Sequence, residues 1–247
     1  LRAAWDDYRP FCAENADPSV WQDKIEKFVG FGEILQSAHV NLPLLLDTYR
    51  TYLIDNEELI DEEFDFNNFV IEEHFVIYKG IVAQKIIFAD GAKGAENPFF
   101  DWLPWNLDKG ECLIAAIEDF PKDKIFKHNF AIVPMPDTQN SFWVGATNEW
   151  KSSDELPTES KKALIVNELE SVLKTKFSIL AHRAAFRPTV KDRRPFIGLH
   201  PNFRSLAIFN GFGTKGTSLV PYFAAHFADA LCLNMPLDSE VSIERFL

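Results

Sequence analysis

The sequence predicts an α/β fold carrying an α+β insertion, and three observations support it. The chain closes on a strand, a glycine turn and a helix: "SLAIF" (205–209) runs through "NGFGTKG" (210–216) into the apolar-faced "TSLVPYFAAHFADAL". The middle holds successive short apolar runs separated by turn signals, the pattern of an antiparallel sheet. Helical patterns flank that middle on both sides, so the order is mixed rather than a uniform βαβ alternation.

Taken in order, "DPSVWQDKIEKFV" (17–29) reads as a helix, with Ser19 and Gln22 as a capping box and Trp21, Ile25 and Val29 on one face. "NLPLLLDTYRTYLI" (41–54) predicts a second, capped by Asn41, with Pro43 in its first turn and Leu45, Tyr49 and Leu53 in line. The acidic "DNEELIDEEFD" is a solvated connection. "FDFNNFVI", "HFVIYK" and "KIIFADG" follow as strands, the last continuously apolar and therefore buried. "NPFFDWLPWN" (97–106) has loop character. "ECLIAAIE" (111–118), "HNFAIVPM" (128–135) and "SFWVGAT" (141–147) are three more strands. "PTESKKALIVNELESVLK" (157–174) is a helix capped by Thr158 with Ile165, Leu169 and Val172 inward. "FSILAHRAAF" is a strand, a basic loop follows, and "RSLAIFN" leads into the final helix.

Composition narrows the function. A chain of 247 residues can bury a real core, and 47% hydrophobic with 25% charged residues is ordinary for a soluble globular protein. A net charge of −12 disfavours nucleic acid or an anionic membrane surface as the main partner. Three scattered cysteines, Cys12, Cys112 and Cys232, suit a reducing cytoplasm and offer no metal-ligand spacing. No apolar run approaches the roughly 20 residues that span a bilayer. No G-x-S-x-G, H-E-x-x-H or Walker loop is present.

Four stretches carry chemistry. The turn 210–216 presents N–H groups and the positive end of a helix dipole, suited to phosphate, carboxylate or the electron-rich edge of a flavin; alternatively its glycines only allow close helix–strand packing. Ala89, Asp90 and Gly91 end a buried strand, and ligands of open α/β sheets lie outside such carboxyl ends, so this end and the turn could share a crevice; the plainer reading is an ordinary loop exit. Arg187 stands between a strand and Pro188, where a guanidinium can clamp a carboxylate through two parallel hydrogen bonds or make a surface ion pair. "SFWVGATNEW" (141–150) ends in small residues that could make room for a ligand bonded by Asn148 or Glu149, or could be a turn with a capping Asn.

Together, "KGECLIA", "FAIVPMPDTQNSFWVGATNEW", "RPTVKDRRPFIGLHP" and "LAIFNGFGTKGTSLVPYFAAHFADAL" resemble the glycine oxidase/D-amino acid oxidase (DAO) family of FAD-dependent oxidoreductases. The family pattern in the last two runs G-x-R-P-x-T-x-D, P-x-I-G and G-H-x-x-x-G. The resemblance implies a Rossmann-like flavin domain interleaved with an antiparallel-sheet substrate domain: substrate-domain helices in 1–30, flavin-domain segments in 31–100 and 188–247, and the substrate-domain sheet in 101–187. It implies FAD bound non-covalently, because Ala185 stands where sarcosine oxidases attach flavin through cysteine. Arg187 falls on the arginine that holds the substrate carboxylate. Gly211, Gly213, Thr214, Lys215, Gly216 and Thr217 fall on the turn whose backbone meets the isoalloxazine. Ala89, Asp90 and Gly91 fall on the strand end along FAD, and Asn148 lines the substrate pocket. Ala131 replaces a pocket tyrosine and Phe212 the histidine of the G-H turn, so glycine itself is not named as substrate.

The implied reaction is oxidation of a small amine or amino acid by hydride transfer to flavin. The sequence matches G-x-G-x-x-G once, at Gly211–Gly216 ("GFGTKG"), and carries no second copy ahead of the segments above, where the family has its pyrophosphate grip. The expectation that follows is either the trailing two-thirds of a longer enzyme or a truncated descendant. Two other readings stay open: a non-catalytic remnant acting as an interaction domain, and a tRNA-modifying flavoenzyme of the same family, which the acidic charge opposes. Homo-oligomerisation is left open.

Overall fold

A computed structural model of the chain describes residues 8–13, 16–28, 30–136 and 140–247. It separates into two compact units: Leu1–Leu59, Gly110–Asn148 and Asp154–Ala185 form one, and Ile60–Lys109, Glu149–Ser153 and Phe186–Leu247 the other.

The first unit is built on a five-stranded sheet. Its strands are β7 (Asp108–Ile117), β8 (Phe126–Lys127), β9 (Ala131–Pro134), β10 (Ser141–Gly145) and β11 (Phe177–Arg187), in the order β11-β7-β10-β9-β8. The β7–β10, β10–β9 and β9–β8 pairs are antiparallel, as the turn-separated apolar runs predict. The helix α2 (Glu159–Val172) is capped by Thr158, whose side chain accepts the Lys161 N–H, and buries Ile165, Leu169 and Val172. That stripe joins Leu113, Ala115, Ile117, Phe142 and Val144 of the sheet in one apolar core. Burial of such aliphatic side chains contributes about 1.5–3 kcal/mol each. A short pair, β1 (Cys12–Ala13) with β2 (Glu33–Ile34), precedes the helix α1 (Leu42–Asp55). Asn41 caps α1 through the Leu44 N–H, as its sequence predicts, yet α1 buries no residue.

The helix expected at 17–29 does not form. Residues Ser19–Trp21 make one 3-10 turn, and Ile25 then bridges Leu173. Asp17, not a capping box, takes both the Ser19 N–H and hydroxyl, at 2.9 and 2.8 Å. The Glu26 N–H donates to Val172 O and the Lys174 N–H to Lys24 O, so strand-like pairing to the end of α2 wins over local helix propensity. Trp21 and Ile25 are still buried. Val29 lies outside the described residues.

The second unit carries two three-stranded sheets. One is the meander β3 (Phe69–Ile71), β4 (Val76–Tyr78) and β5 (Ile81–Ala83). Lys79 and Gly80, both at positive φ (46° and 86°), form the two-residue turn that creates β5, a strand not foreseen. "FDFNNFVI" is only half a strand, because Asp65 accepts the Asn67 N–H and winds Phe66–Asn68 into a 3-10 turn. The other sheet has the order β12-β13-β6: β12 (Phe196–Leu199), also unforeseen, is antiparallel to β13 (Leu206–Asn210), and β13 is parallel to β6 (Ile86–Phe88). The helix α3 (Gly216–Leu233) follows β13, and Phe227 packs in a cluster with Ile197, Ala207 and Val241. No helix among the described residues is long and apolar enough to cross a membrane.

Candidate active site

The parallel pairing of β6 and β13 aligns Ile86, Ile87 and Phe88 with Leu206, Ala207 and Ile208, so both strands end at the same rim of the sheet. Ala89, Asp90 and Gly91 leave one strand there, and Asn210 and Gly211 leave the other. Asn210 Nδ2 donates to Asp90 Oδ1 at 2.8 Å and to Gly91 O at 3.0 Å, while its Oδ1 accepts the Gly211 N–H at 2.8 Å. Asn97 Nδ2 donates to the other carboxylate oxygen, Asp90 Oδ2, at 3.1 Å. Both asparagines are buried, and such groups are stable only when bonded. Gly94 lets the network close, since a Cβ there would stand 2.7 Å from both Asn210 Nδ2 and Asp90 Oδ1.

The glycine turn then rests on the segment after Arg187. Gly211 sits at φ +79°, with Val190 Cγ1 only 2.9 Å from where a Cβ would lie. Gly213, at φ +55°, donates its N–H to Pro188 O at 3.1 Å, and its missing Cβ would fall 2.7 Å from Thr189 Cγ2. These are backbone conformations and approaches that only glycine meets without strain. Beyond them Thr214, Lys215 and Thr217 are exposed and Gly216 is half-buried. The helix α3 starts at Gly216 with Lys215 at its N-cap and no side-chain cap bond. The first N–H groups of an α-helix have no intrahelical acceptor, and the dipole makes that end favourable to negative charge.

Arg187 ends β11, and its Nη1 donates to Asp108 Oδ2 at 2.7 Å. The arginine side chain is 20% exposed and the aspartate 1%. Asp108 Oδ1 also accepts the Glu149 N–H at 2.9 Å. Sequence reasoning missed Asp108, Asn97 and Asn210; their signal was a polar residue inside or beside an apolar run.

Asn148 and Ala131 lie in the first unit. Asn148 is exposed, immediately after the buried Thr147, whose hydroxyl accepts the Glu111 N–H at 3.0 Å. Ala131 is half-buried and pairs with Gly145 across β9 and β10. The small Gly145 accommodates the neighbouring strand, because a Cβ there would stand 2.9 Å from Cys112 Cβ. Deeper in this unit Glu111 accepts the Thr158 N–H and hydroxyl at 2.8 and 3.0 Å. His182 Nε2 stands 2.9 Å from Glu111 Oε2 but off the direction of a hydrogen bond, so the contact is one of proximity. A cleft of about 860 Å³ flanked by Phe28, Glu33, Lys124 and His128 also belongs to the first unit. None of the predicted site residues lines it. Three of the predicted stretches are instead hydrogen-bonded together at the rim where β6 and β13 end. Among the described residues no three His, Cys, Asp or Glu side chains are placed to hold a metal.

This rim falls within a known sequence pattern. The profile of the FAD dependent oxidoreductase family (DAO) matches residues 70–230. The chain belongs to that family. Glycine oxidase of Bacillus subtilis (strain 168) is 27% identical over 125 residues, which is 50% of this chain and 34% of that protein. The crystal structure of iminodiacetate oxidase from Chelativorans sp. BNC1 superposes with a TM-score of 0.55 at 21% identity, over 71% of this chain and 52% of that one. L-proline dehydrogenase from P. horikoshii gives 0.55 at 15% identity, over 77% and 56%. The DAO fold is therefore shared with these enzymes, and the chain spans between a third and about half of their lengths.

Proposed function

We propose that this protein is an FAD-dependent oxidoreductase acting on a small amine or amino acid. One observation carries the reading: the Gly211–Gly216 turn is hydrogen-bonded on one side to the Asp90 strand end, through Asn210, and on the other to Pro188, the residue after Arg187. Residues 31–100 and 188–247 are read as the cofactor-binding portion, and 1–30 and 101–187 as the substrate portion.

The residues present fit the ring end of a flavin. A glycine turn at positive φ would let backbone approach a planar group closely, and the start of α3, with no side-chain cap bond, would offer N–H groups to negative charge on it. The run Gly211–Gly216 has the form G-x-G-x-x-G but is read as the turn at the ring end, and no residue is assigned to the pyrophosphate. When bound, FAD supplies the acceptor of the substrate's hydride. The chain's own part is placement and electrostatics. Arg187, partly exposed and steadied by Asp108, holds the substrate carboxylate and so orients the α-carbon. Ala89, Asp90 and Gly91 with Gly211, Gly213, Thr214, Lys215, Gly216 and Thr217 would line the cofactor, and Asn148 and Ala131 would contribute to the substrate side. No side chain is required as a base, since a neutral amine can release hydride without one.

The test is titration of the purified protein with FAD, followed by anaerobic mixing with a panel of amines and amino acids. Bleaching of the bound flavin by carboxylate-bearing amines, lost in Arg187→Ala, is the expected result. Failure to retain FAD at saturating concentration overturns the reading.

A further inference from the structure

We propose that Asn210 is a positioning residue for the cofactor turn: its amide sets the spacing between the Asp90–Gly91 strand end and the Gly211 turn, and thereby the affinity for flavin. This inference rests on the flavin reading above.

The argument is one of hydrogen-bond capacity. An asparagine amide offers two N–H donors and a carbonyl oxygen. At Asn210 both donors are directed at the β6 exit, to Asp90 Oδ1 and Gly91 O, and the oxygen takes the N–H of Gly211. The amide therefore spans the carboxyl ends of two parallel strands, touching on each side a residue that opens a proposed flavin contact. Its orientation is determined, because the Gly211 N–H needs an acceptor and the Asp90 carboxylate and Gly91 carbonyl need donors. Asn210 is 4% exposed and Asn97, on the far oxygen of Asp90, 2%. In such a setting an incorrectly filled position is costly. Aspartate at 210 would set a carboxylate against Asp90 and against the Gly91 carbonyl. Serine would keep an acceptor for Gly211 and lose the reach to β6.

The experiment compares FAD dissociation constants, by quenching of flavin fluorescence, for the wild-type chain, Asn210→Ser, Asn210→Asp and the exchange variant Asp90→Asn/Asn210→Asp. Melting of each FAD-free protein and the visible band of the bound flavin are recorded alongside. Both single variants are expected to bind FAD at least about tenfold more weakly, the loss of one well-placed buried bond. The band shape is expected to change, and the exchange variant to recover part of the affinity lost in Asn210→Asp by reversing the 90–210 hydrogen bond, while the Gly91 carbonyl still lacks its donor. Where Asn210→Asp does not fold, Asn210→Ser carries the comparison. Unchanged affinity and spectrum in Asn210→Ser, whether or not its FAD-free form melts lower, overturns the positioning role and leaves the flavin reading standing. A wild-type chain that binds no FAD overturns both.

Discussion

Arg187 Nη1 lies 2.7 Å from Asp108 Oδ2, so the last residue of β11 is ion-paired with the first residue of β7. The residue proposed to hold a substrate carboxylate thus already holds one of the protein's own. The buried aspartate fixes the guanidinium before any substrate arrives, a preorganisation that reduces the entropy lost on binding.

Breaking this pair by removing only the cation leaves a buried carboxylate undercompensated. Arg187→Met is expected to lower stability by roughly 2–4 kcal/mol, read from urea unfolding, somewhat below a fully enclosed pair because the arginine is 20% exposed. Adding Asp108→Asn should return part of that loss. In the catalytic assay Asp108→Asn alone is expected to raise KM for a carboxylate-bearing amine several-fold, about tenfold at most, while KM for an amine lacking the carboxylate stays put. Equal changes for both substrates would remove Arg187 from the substrate site.

Gly94 tests the buried network. A Cβ at this position meets Asn210 Nδ2, Asp90 Oδ1 and Trp105 Cη2 at 2.7, 2.7 and 2.8 Å. Gly94→Ala is expected to cost about 1–3 kcal/mol in chemical unfolding. At Gly32 an added Cβ meets nothing within 4 Å, so Gly32→Ala is the control, within about 0.5 kcal/mol of wild type.

His200 predicts a pH dependence. It is 7% exposed, its Nδ1 accepts the N–H groups of Asn202 and Phe203, and its ring packs against Phe100 and Phe203. Burial pushes its pKa below the usual histidine value, against an opposing hydrogen bond with the Phe99 backbone. Above about pH 6.5 the histidine is neutral in folded and unfolded chains alike and contributes no slope. As pH falls below that value the unfolded chain takes up the proton first, so stability drops until the lower folded pKa is passed. Unfolding free energy should therefore fall between pH 7.5 and 5.5, and His200→Leu, less stable at both, should lack much of that slope.

The chain's end is tied back by one arginine. Arg245 Nε donates to Asp192 Oδ2 at 2.9 Å, its Nη2 to Arg194 O at 3.0 Å, and its guanidinium lies 4.3 Å from the Phe246 ring centroid. Burial pushes the Asp192 carboxyl up, but the hydrogen bonds from Arg245 and the Arg194 backbone outweigh it and hold the pKa below the usual carboxylate range. The stabilisation is thus complete at neutral pH and lost as pH falls through the depressed value. Arg245→Lys keeps the charge and loses the fork, at an expected cost of about 1 kcal/mol at pH 7 that shrinks in acid, both measured by thermal unfolding.

Much of this molecule was legible in local pattern. Asn41 and Thr158 stand where caps belong, α2 buries the stripe its spacing dictates, and the strand–glycine turn–helix ending is present as written. Those features depend on residues within a turn or two of each other, and their physics is local. Family membership was legible for the same reason, since the runs from "KGECLIA" to the final helix are contiguous motifs. What resisted reading was pairing across distance. The expected helix at 17–29 gave way to backbone bonds with residues 172–174, and β5 and β12 are too short to announce themselves. Asp90 and Asn210 are 120 residues apart, and Asp108 and Arg187 79 apart. Nothing in one segment specifies the other's register. Only the parallel pairing of β6 with β13 and the adjacency of β7 and β11 convert isolated polar residues into bonded pairs. Local sequence determined which residues could serve a site. The tertiary structure decided which meet, because sheet register, set by burial over the whole core, fixes where strand ends coincide.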